Sequence, residues 1–449
     1  MRGVIIRRGL GLLATVAMLG SACGTGTPDN VRIGVIAPLT GPQAFLGQEL
    51  LAGAELAVDE LNRNGGLLGR PVELVVVDDA DLTSLPAQLA DLAEVARVTA
   101  VIGPESPGVL LGARSPLTRR QVPAILPTAF AGDLTTARST VVRTVPSARA
   151  QAAALAEWLT GERGIDQVAL LLADPAEATL AADDLRSGLA VHGVEVAASV
   201  GADGRAADLR AAVAALRDRA PDAPAVLLWG PPAVVANATV AIRQLDWDVQ
   251  ILLPASSFVG EYRTLAAGAS EGVVFAAPLR TEWFEGELPG WLLRYQVREG
   301  IGLLPQLDTL VLDFPVLAIA ASEAVRIIAS AVERTGSRVP DVVGEAIVVG
   351  THTGMLMPYD LADREAWAPD DLSIARLHHL AVTFDIDPDY DAAAQRRFWE
   401  AQVTLDILPD DLADGPLGAL VDALRGARDD APLPDYETPL PGPGPVARP

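Results

Sequence analysis

Val31-Arg32-Ile33-Gly34-Val35-Ile36 runs up to Pro38 and is followed by the loop Leu39-Thr40-Gly41-Pro42. Leu50, Ala54, Ala57, Val58 and Leu61 then recur at helical spacing, before a second apolar run from Val72 to Val77. That order decides the fold. A continuous β-branched run without alternation is a strand buried on both faces. Glu49, Glu55, Asp59 and Glu60 lie mostly off the apolar stripe, so the intervening helix lays one face on the sheet. Asn64-Gly65-Gly66 stops it, because glycine accepts the left-handed backbone of a C-cap. Two buried strands joined by a crossover helix pair in parallel.

The unit repeats along the chain. Asp78-Asp79 closes the second strand and reads as a polar turn. A helix is predicted over Ser84 to Val95 with an early Pro86, then strand Val101-Ile102, a turn at Gly103-Pro104, helix Val109 to Arg120 and strand Ala124 to Leu126. A second series opens after Val141 to Val145. Its strands are Val168 to Leu172, Val194 to Val200, Val226 to Trp229 and Ile251 to Leu253, with Val273 to Phe275 closing it. Its helices lie near Ala148 to Thr160, Ala176 to Ala190, Leu209 to Arg219 and Val234 to Leu245. Helical segments follow at Leu288 to Glu299, Leu307 to Glu333 and Asp341 to Val348. Past Asp360 the pattern weakens into the insertion-like stretch Asp360 to Asp371, then a strand at His379 to Phe384. Asp429 to Pro449 is proline-rich and acidic and is expected to be disordered. The fold class is α/β, with two doubly wound parallel-sheet lobes. Open α/β sheets bind ligands outside the carboxyl ends of their strands, which points to a cleft between the lobes.

The chain ahead of Val31 carries an address. Arg2, Arg7 and Arg8 precede the apolar stretch Leu10 to Leu19, which is too short to span a bilayer, and Leu19-Gly20-Ser21-Ala22 leads into Cys23. Residues 1–22 read as a secretory signal. A cysteine directly behind small residues resembles the lipobox of bacterial lipoproteins, in which the thiol is acylated and holds the protein on the extracytoplasmic face of the membrane. Leu19 stands four residues before Cys23, where the commonest pattern has its aliphatic residue three before, and the alternative is a plain secreted protein. Residues 23–30 would be a tether. Cys23 is the single cysteine of the chain, so the fold is held by core burial without an internal disulfide.

Composition excludes several function classes. The formal net charge is −24, and removing a leader with three arginines and no acid takes it to −27. Such a surface repels phosphate backbones and argues against nucleic acid, and equally against electrostatic docking on anionic lipid. Half the residues are apolar, yet the best later membrane candidate, Val316 to Val332, is broken by Glu323 and Arg326 and reads as a buried helix. The sequence contains no lysine, which removes the P-loop, Schiff-base and Ser-Lys chemistries. Ser106 lies in Pro104-Glu105-Ser106-Pro107-Gly108 and lacks the first glycine of a nucleophile elbow. His378 and His379 are adjacent and on a strand face opposite ways, and no HExxH, CxxC or EF-hand loop occurs. An enzyme is not expected, nor a metal or other cofactor.

Ile33-Gly34-Val35-Ile36-Ala37-Pro38-Leu39-Thr40-Gly41 and Asn62-Arg63-Asn64-Gly65-Gly66-Leu67-Leu68-Gly69-Arg70-Pro71-Val72-Glu73-Leu74 closely resemble the start of the branched-chain amino acid binding proteins. Val101-Ile102-Gly103-Pro104, Pro123-Ala124-Ile125-Leu126-Pro127, Glu271-Gly272-Val273 and Gly350-Thr351-His352-Thr353-Gly354 are similar to later landmarks. The resemblance spans Val31 to Asp360 and is strongest in the first lobe. It implies an extracytoplasmic solute-binding component of an ABC importer with the type I periplasmic binding fold, whose chain crosses between lobes three times. The crossings are expected near Val145, Ala277 and Gly350. That gives a first lobe of residues 31–145 plus 278–349, a second of 146–277 plus 350–425, and a tail of 426–449. The implied partners are a small organic ligand, a membrane permease, and the membrane itself through lipid on Cys23, with the protein a monomer.

The pocket departs from the family's pattern. Pro107 stands where the family has a serine that helps hold a carboxylate, with Ser106 adjacent, and Phe130 replaces a threonine, with Thr128 nearby. Ala178-Thr179, Pro231-Pro232 and Ser256-Ser257 occupy places where the family often has tyrosines and an acid. A buried zwitterion needs partners for both charges, so an amide-like ligand competes with an amino-acid-like one. The cleft residues expected to touch ligand are Phe45, Leu46, Glu105, Ser106, Thr128, Phe130, Glu177, Trp229, Ser256 and Ser257. Phe45, Phe130 and Trp229 would supply flat walls and the hydroxyls hydrogen bonds; for the aromatics the alternative is core packing, and for Glu105 and Glu177 a solvated rim. A sensing or partner-binding lipoprotein on the same fold is the competing function.

Overall fold

The computed structural model describes residues 30–41, 44–81, 83–104, 119–128, 141–173, 175–204, 206–257, 260–278, 287–299, 315–364, 366–378 and 381–384. Residues 1–29, with the leader and Cys23, fall outside this range, as do most of the helix expected at Val109 to Arg120 and the acidic tail.

The opening unit forms as its pattern dictates. Strand β1 (Val31–Ala37) pairs in parallel with β2 (Val72–Asp78), in register from Val31 with Val72 to Ala37 with Asp78. Helix α1 (Ala44–Arg63) joins them. Helix α2 (Leu85–Asp91) runs on into a single π-helical turn at Leu92–Ala96. Strands β3 (Ala100–Ile102), β4 (Ala124–Leu126) and β5 (Val141–Arg143) complete a five-stranded sheet of order β2-β1-β3-β4-β5. Alternate residues of β1 serve opposite faces, as the pleat requires. Val31, Ile33 and Val35 pack with α1, whereas Ile36 packs with Leu85, Leu89 and Leu92.

The second lobe is built the same way. Between helices α3 (Ala148–Glu162), α4 (Pro175–Val191), α5 (Ala206–Arg219) and α6 (Pro232–Gln244) run strands β6 (Gln167–Leu172), β7 (Glu195–Gly201), β8 (Ala225–Trp229) and β9 (Gln250–Leu253). After the short helix α7 (Gly260–Ala266) comes β10 (Val274–Ala277). Val168, Leu170 and Leu172 face α3 and α4, while Ala169 and Leu171 face the layer of α5 to α7. At about 1.5 to 3 kcal/mol per fully buried aliphatic side chain, these double-faced strands dominate the stability of a chain without a disulfide.

The chain then returns to the first lobe. Helix α8 (Leu288–Glu299) lies against α1, where Arg294 bonds Glu60 at 2.8 Å and Arg298 bonds Glu55 at 2.5 Å and Asp59. Helix α9 (Val316–Thr335) is the central buried helix of this lobe, and Glu49 of α1 accepts the Leu317 amide at its start at 2.9 Å. Helices α1 and α9 touch backbone to backbone at Gly53, where a Cβ would sit 2.0 Å from the Ala318 carbonyl oxygen. After α10 (Pro340–Val348) comes the hairpin β11 (Thr351–Thr353) and β12 (Pro358–Asp360). The hairpin is fastened to α9 by fully buried Glu323, whose carboxylate oxygens accept the Met355 amide at 2.8 and 3.1 Å and bond the Tyr359 hydroxyl. Burial pushes the Glu323 carboxyl up from its ordinary range, against the pull of the Met355 amide. These contacts put the hairpin with the helices of the first sheet, whereas the sequence reading assigns residues from 350 onward to the second lobe.

Residues 361–372 run along the first crossover. Arg143 and Arg364 share a backbone bond of 2.9 Å, Ala366 donates to Arg143 at 3.1 Å, and the Trp367 indole donates to the Thr144 carbonyl at 2.6 Å. The insertion-like stretch is therefore a second strap beside the first. Beyond it β13 (Ser373–His378) and β14 (Ala381–Phe384) form an antiparallel hairpin on β10, giving a seven-stranded sheet of order β14-β13-β10-β9-β8-β6-β7. The sequence reading finds only the last of these strands, starting it at His379, and closes the series at β10. Among the described residues no helix is long and apolar enough to cross a membrane.

Candidate functional site

Strand order reverses at two places. In the first sheet β1 and β3 are neighbours whose chains leave in opposite directions; in the second the same holds for β6 and β8. Such switch points open a crevice at the carboxyl ends of the strands. Gly103 lines the first one at φ +91°, and a Cβ there would lie 2.1 Å from the Ile36 carbonyl oxygen, so the close approach requires glycine. At the second, the Ala173 amide just beyond β6 donates to the carbonyl of Trp229, the last residue of β8, at 2.7 Å.

Polar atoms without partners collect at these strand ends. Thr128 follows β4 and is 6% exposed, Trp229 ends β8 and is 2% exposed, and Ser257 follows β9 and is 1% exposed. Thr128 Oγ1, Trp229 Nε1 and Ser257 Oγ are all buried without a hydrogen bond. Each such atom costs about 1–3 kcal/mol when left unpaired. Orphaned atoms also occur in the cores, at Trp247 and Trp291 for example, so the distinguishing mark of these three is their place at or just past the carboxyl ends of β4, β8 and β9. The Trp229 ring packs in the core with residues of α3 and α4, so what the three offer at the strand ends is two hydroxyls and one indole donor, a set able to hold a small ligand's polar atoms without a formal charge.

Two carboxylates close β2. Asp78 loses solvation, but hydrogen bonds from Thr40 Oγ1 (2.7 Å) and the Leu39 and Ala80 amides (2.9 and 3.1 Å) outweigh this and hold it below its ordinary range. Asp79 is 4% exposed, and its Oδ2 has no partner. Burial, reinforced by the Asp78 charge, pushes its carboxyl up to about 6. The pair therefore divides into a turn-former, as the sequence suggests of both, and a buried acid that sequence patterning does not reveal.

Not every expected residue faces the cleft. Phe45, in the first turn of α1, is 39% exposed, whereas Leu46 points the other way into the first lobe's core with Val31 and Ile33. Ser256 is half-buried beside Ser257 in the 3₁₀ turn Ala255–Ser257. Glu105, Ser106 and Phe130 lie outside the described residues, and Glu177 belongs to α4 within a stretch whose side chains are not described. His352 is a core histidine, its Nδ1 3.3 Å from Ser330 Oγ and its Nε2 2.8 Å from the Ile347 carbonyl. Among the described residues no group of three or more His, Cys, Asp or Glu side chains is placed to hold a metal ion.

One contributor escapes the sequence reading. Gln151, fully buried on α3, donates from Nε2 to the Pro146 carbonyl (2.9 Å) and accepts the Ala255 amide at Oε1 (2.7 Å). A polar amide inside Ala148-Arg149-Ala150-Gln151-Ala152-Ala153, on a helix face otherwise made of alanine and leucine, is the signal that marks it.

Two doubly wound sheets joined by paired straps, with unsatisfied polar atoms at strand ends of each, are the architecture of a two-lobed binding protein. A profile described as periplasmic binding protein matches residues 30–290, and the chain belongs to that family. Among relatives, the Leu/Ile/Val-binding protein BraC3 of Rhizobium johnstonii is 40% identical over 106 residues, which is 24% of this chain and only 29% of that protein. The branched-chain amino acid transporter substrate binding protein LivJ of Streptococcus pneumoniae, in complex with isoleucine, superposes with a TM-score of 0.65 at 19% identity over 79% of this chain and 99% of its own. A solute-binding protein of an ABC transporter from R. palustris, in complex with benzoate, gives 0.64 at 16% identity over 79% and 95%. The fold is that of the type I periplasmic binding proteins.

Proposed function

We propose that this protein is an extracytoplasmic solute-binding lipoprotein that captures a small organic ligand between its lobes for an ABC importer. The observation that carries the reading is the set of buried, unpartnered polar atoms on Thr128, Trp229 and Ser257 at the strand ends of a periplasmic binding protein fold. Ligand atoms would supply the missing partners, and closure would bury them from water. No bond is made or broken in such a cycle; the product is a closed complex for a permease to recognise. The ligand class we favour is amino-acid-like or amide-like. Solved proteins of this fold hold isoleucine or benzoate, both small, with one carboxyl group and an apolar body. Glu105, Ser106, Phe130 and Glu177 complete the proposed cleft with Phe45 and Ser256, and lipid on Cys23 would hold the monomer at the membrane. The chain would span the lobes as residues 31–145 with 278–360 and 146–277 with 373–384, the strap between them running beside the first crossover.

Native mass spectrometry of the mature domain, from residue 24 to 428 and purified from its own host, tests this. A bound small molecule of definite mass, lost in Trp229→Ala, is the expected result. An empty protein with no melting shift toward amino acids, amides or aromatic acids would overturn it. The substituted positions Pro107 and Phe130 favour a second reading, a sensing or partner-binding lipoprotein on the same fold. A ligand bound in the cleft by a protein that does not engage a permease would support that role instead.

A further inference from the structure

We propose that Gln151 is a positioning residue that fixes the second lobe's recognition turn to the first crossover, so that hinge angle and the placement of Ser257 are set together. The inference rests on the binding reading above and names a coupling within it.

Hydrogen bonds carry the argument from one lobe to the other. Thr144, in the crossover, donates from its amide to the Leu126 carbonyl at 3.1 Å, at the end of β4 and just ahead of Thr128. The same crossover is paired with the strap around Arg364 and Trp367. It ends at Pro146, whose carbonyl receives Gln151 Nε2 at 2.9 Å. On its other side Gln151 Oε1 accepts the amide of Ala255, the residue that opens the turn bearing Ser256 and Ser257. Ser257 is held within that turn by the hydrogen bond its amide donates to the Pro254 carbonyl at 2.9 Å. One side chain thus occupies the junction between the hinge and an orphaned hydroxyl of the cleft. Both functional ends of the Gln151 amide are used, at zero exposure. A residue that merely filled space here would be apolar, because burying an amide is favourable only when both ends find partners.

Two substitutions separate the halves of the bridge, recorded at a pH above the titration of the introduced carboxyl. Gln151→Glu then keeps an oxygen for the Ala255 amide and removes the donor to Pro146; Gln151→Leu removes both. The full mature chain carries Cys23→Ser, with dyes on Val95→Cys in the first lobe and Val191→Cys in the second, two positions 73% and 59% exposed. Single-molecule energy transfer is recorded without ligand and with L-leucine, L-isoleucine and benzoate as probes, and amide exchange is followed at Ala255. In the ligand-free protein both variants should broaden the transfer distribution. Exchange at Ala255 should rise about tenfold or more in Gln151→Leu and hold at the parent value in Gln151→Glu. Where a probe shifts the parent, the Glu variant should need about tenfold more of it for the same shift. If Gln151→Leu does not fold, the Glu variant decides. A folded Glu variant with the parent's ligand-free distribution overturns the proposal. Silence of all three probes toward the parent would count against the binding reading, while the ligand-free widths still judge the bridge.

Discussion

Replacing Asp79 by asparagine should make the protein more stable at neutral pH, and by an amount that depends on pH. In the folded protein the buried Asp79 carboxyl titrates at about 6, against an ordinary value of 3.8. Between those values the folded chain holds a proton that the unfolded chain has released. Stability therefore falls as pH rises from about 4 to about 6, and the full penalty persists above that. At 1.36 kcal/mol per pKa unit the ionised form is disfavoured by about 3 kcal/mol, of which about 2.4 kcal/mol develops between pH 4 and pH 7.5. An asparagine side chain at this position would carry no charge and keep the shape. The assay is urea unfolding of parent and Asp79→Asn from pH 4 to 7.5, followed by tryptophan fluorescence. The stability difference should move by about 2 to 3 kcal/mol in favour of the variant across that range. A difference that stays constant with pH would refute the reasoning and show that Asp79 is solvated, and one that moves in favour of the parent as pH rises would show that it is paired.

Ser257→Ala and Thr128→Val should leave ligand-free stability unchanged or raise it by up to about 1 kcal/mol, since each removes a buried hydroxyl without a partner; the same variants should weaken binding of whichever solute native mass spectrometry identifies, by about tenfold in a titration. Gly53→Ala should cost about 1–3 kcal/mol or more, read as a lowered melting temperature, because its methyl group would meet the Ala318 carbonyl oxygen at 2.0 Å. Glu323→Ala strands the Met355 amide and the Tyr359 hydroxyl in a dry site and should cost about 3 kcal/mol, with amide exchange at Met355 accelerated ahead of global unfolding.

The parallel core of both sheets was legible because strands buried on two faces leave continuous apolar runs, and Val31 to Val77 contains two of them around an amphipathic helix. The hairpin at Ser373 to Phe384 was half missed for the opposite reason. Ser373-Ile374-Ala375-Arg376-Leu377-His378 is neither a continuous apolar run nor a clean alternation, and its strand identity depends on the β10 edge that it pairs with, not on its own composition. Within the site, Thr128, Trp229 and Ser257 could be read as strand-end residues, because the strands themselves could be placed. Leu46 could not be separated from Phe45, since the two differ only in which side of α1 they occupy. Asp79 and Gln151 depend on contacts far away in sequence. Nothing local distinguishes the buried Asp79 carboxylate from its neighbour Asp78, and the apolar face around Gln151 marks the amide as buried without telling which distant groups it bridges.

The pairing of β13 with β10 also bears on how the polypeptide comes to be made. The edge of β10 stays open until the chain has gone out through α8, α9 and α10 and come back along the strap at Arg364 to Trp367. Neither lobe is finished as a contiguous stretch, so neither can be completed by local contacts alone, and long loops must close before the last strands dock. While the chain folds, an unpaired, apolar β10 edge would be exposed to other chains for as long as that journey lasts. A rearranged gene that places residues 373–384 directly behind Ala277 would shorten it, and would be the natural way to ask whether folding speed in this protein is limited by chain order instead of by side-chain packing.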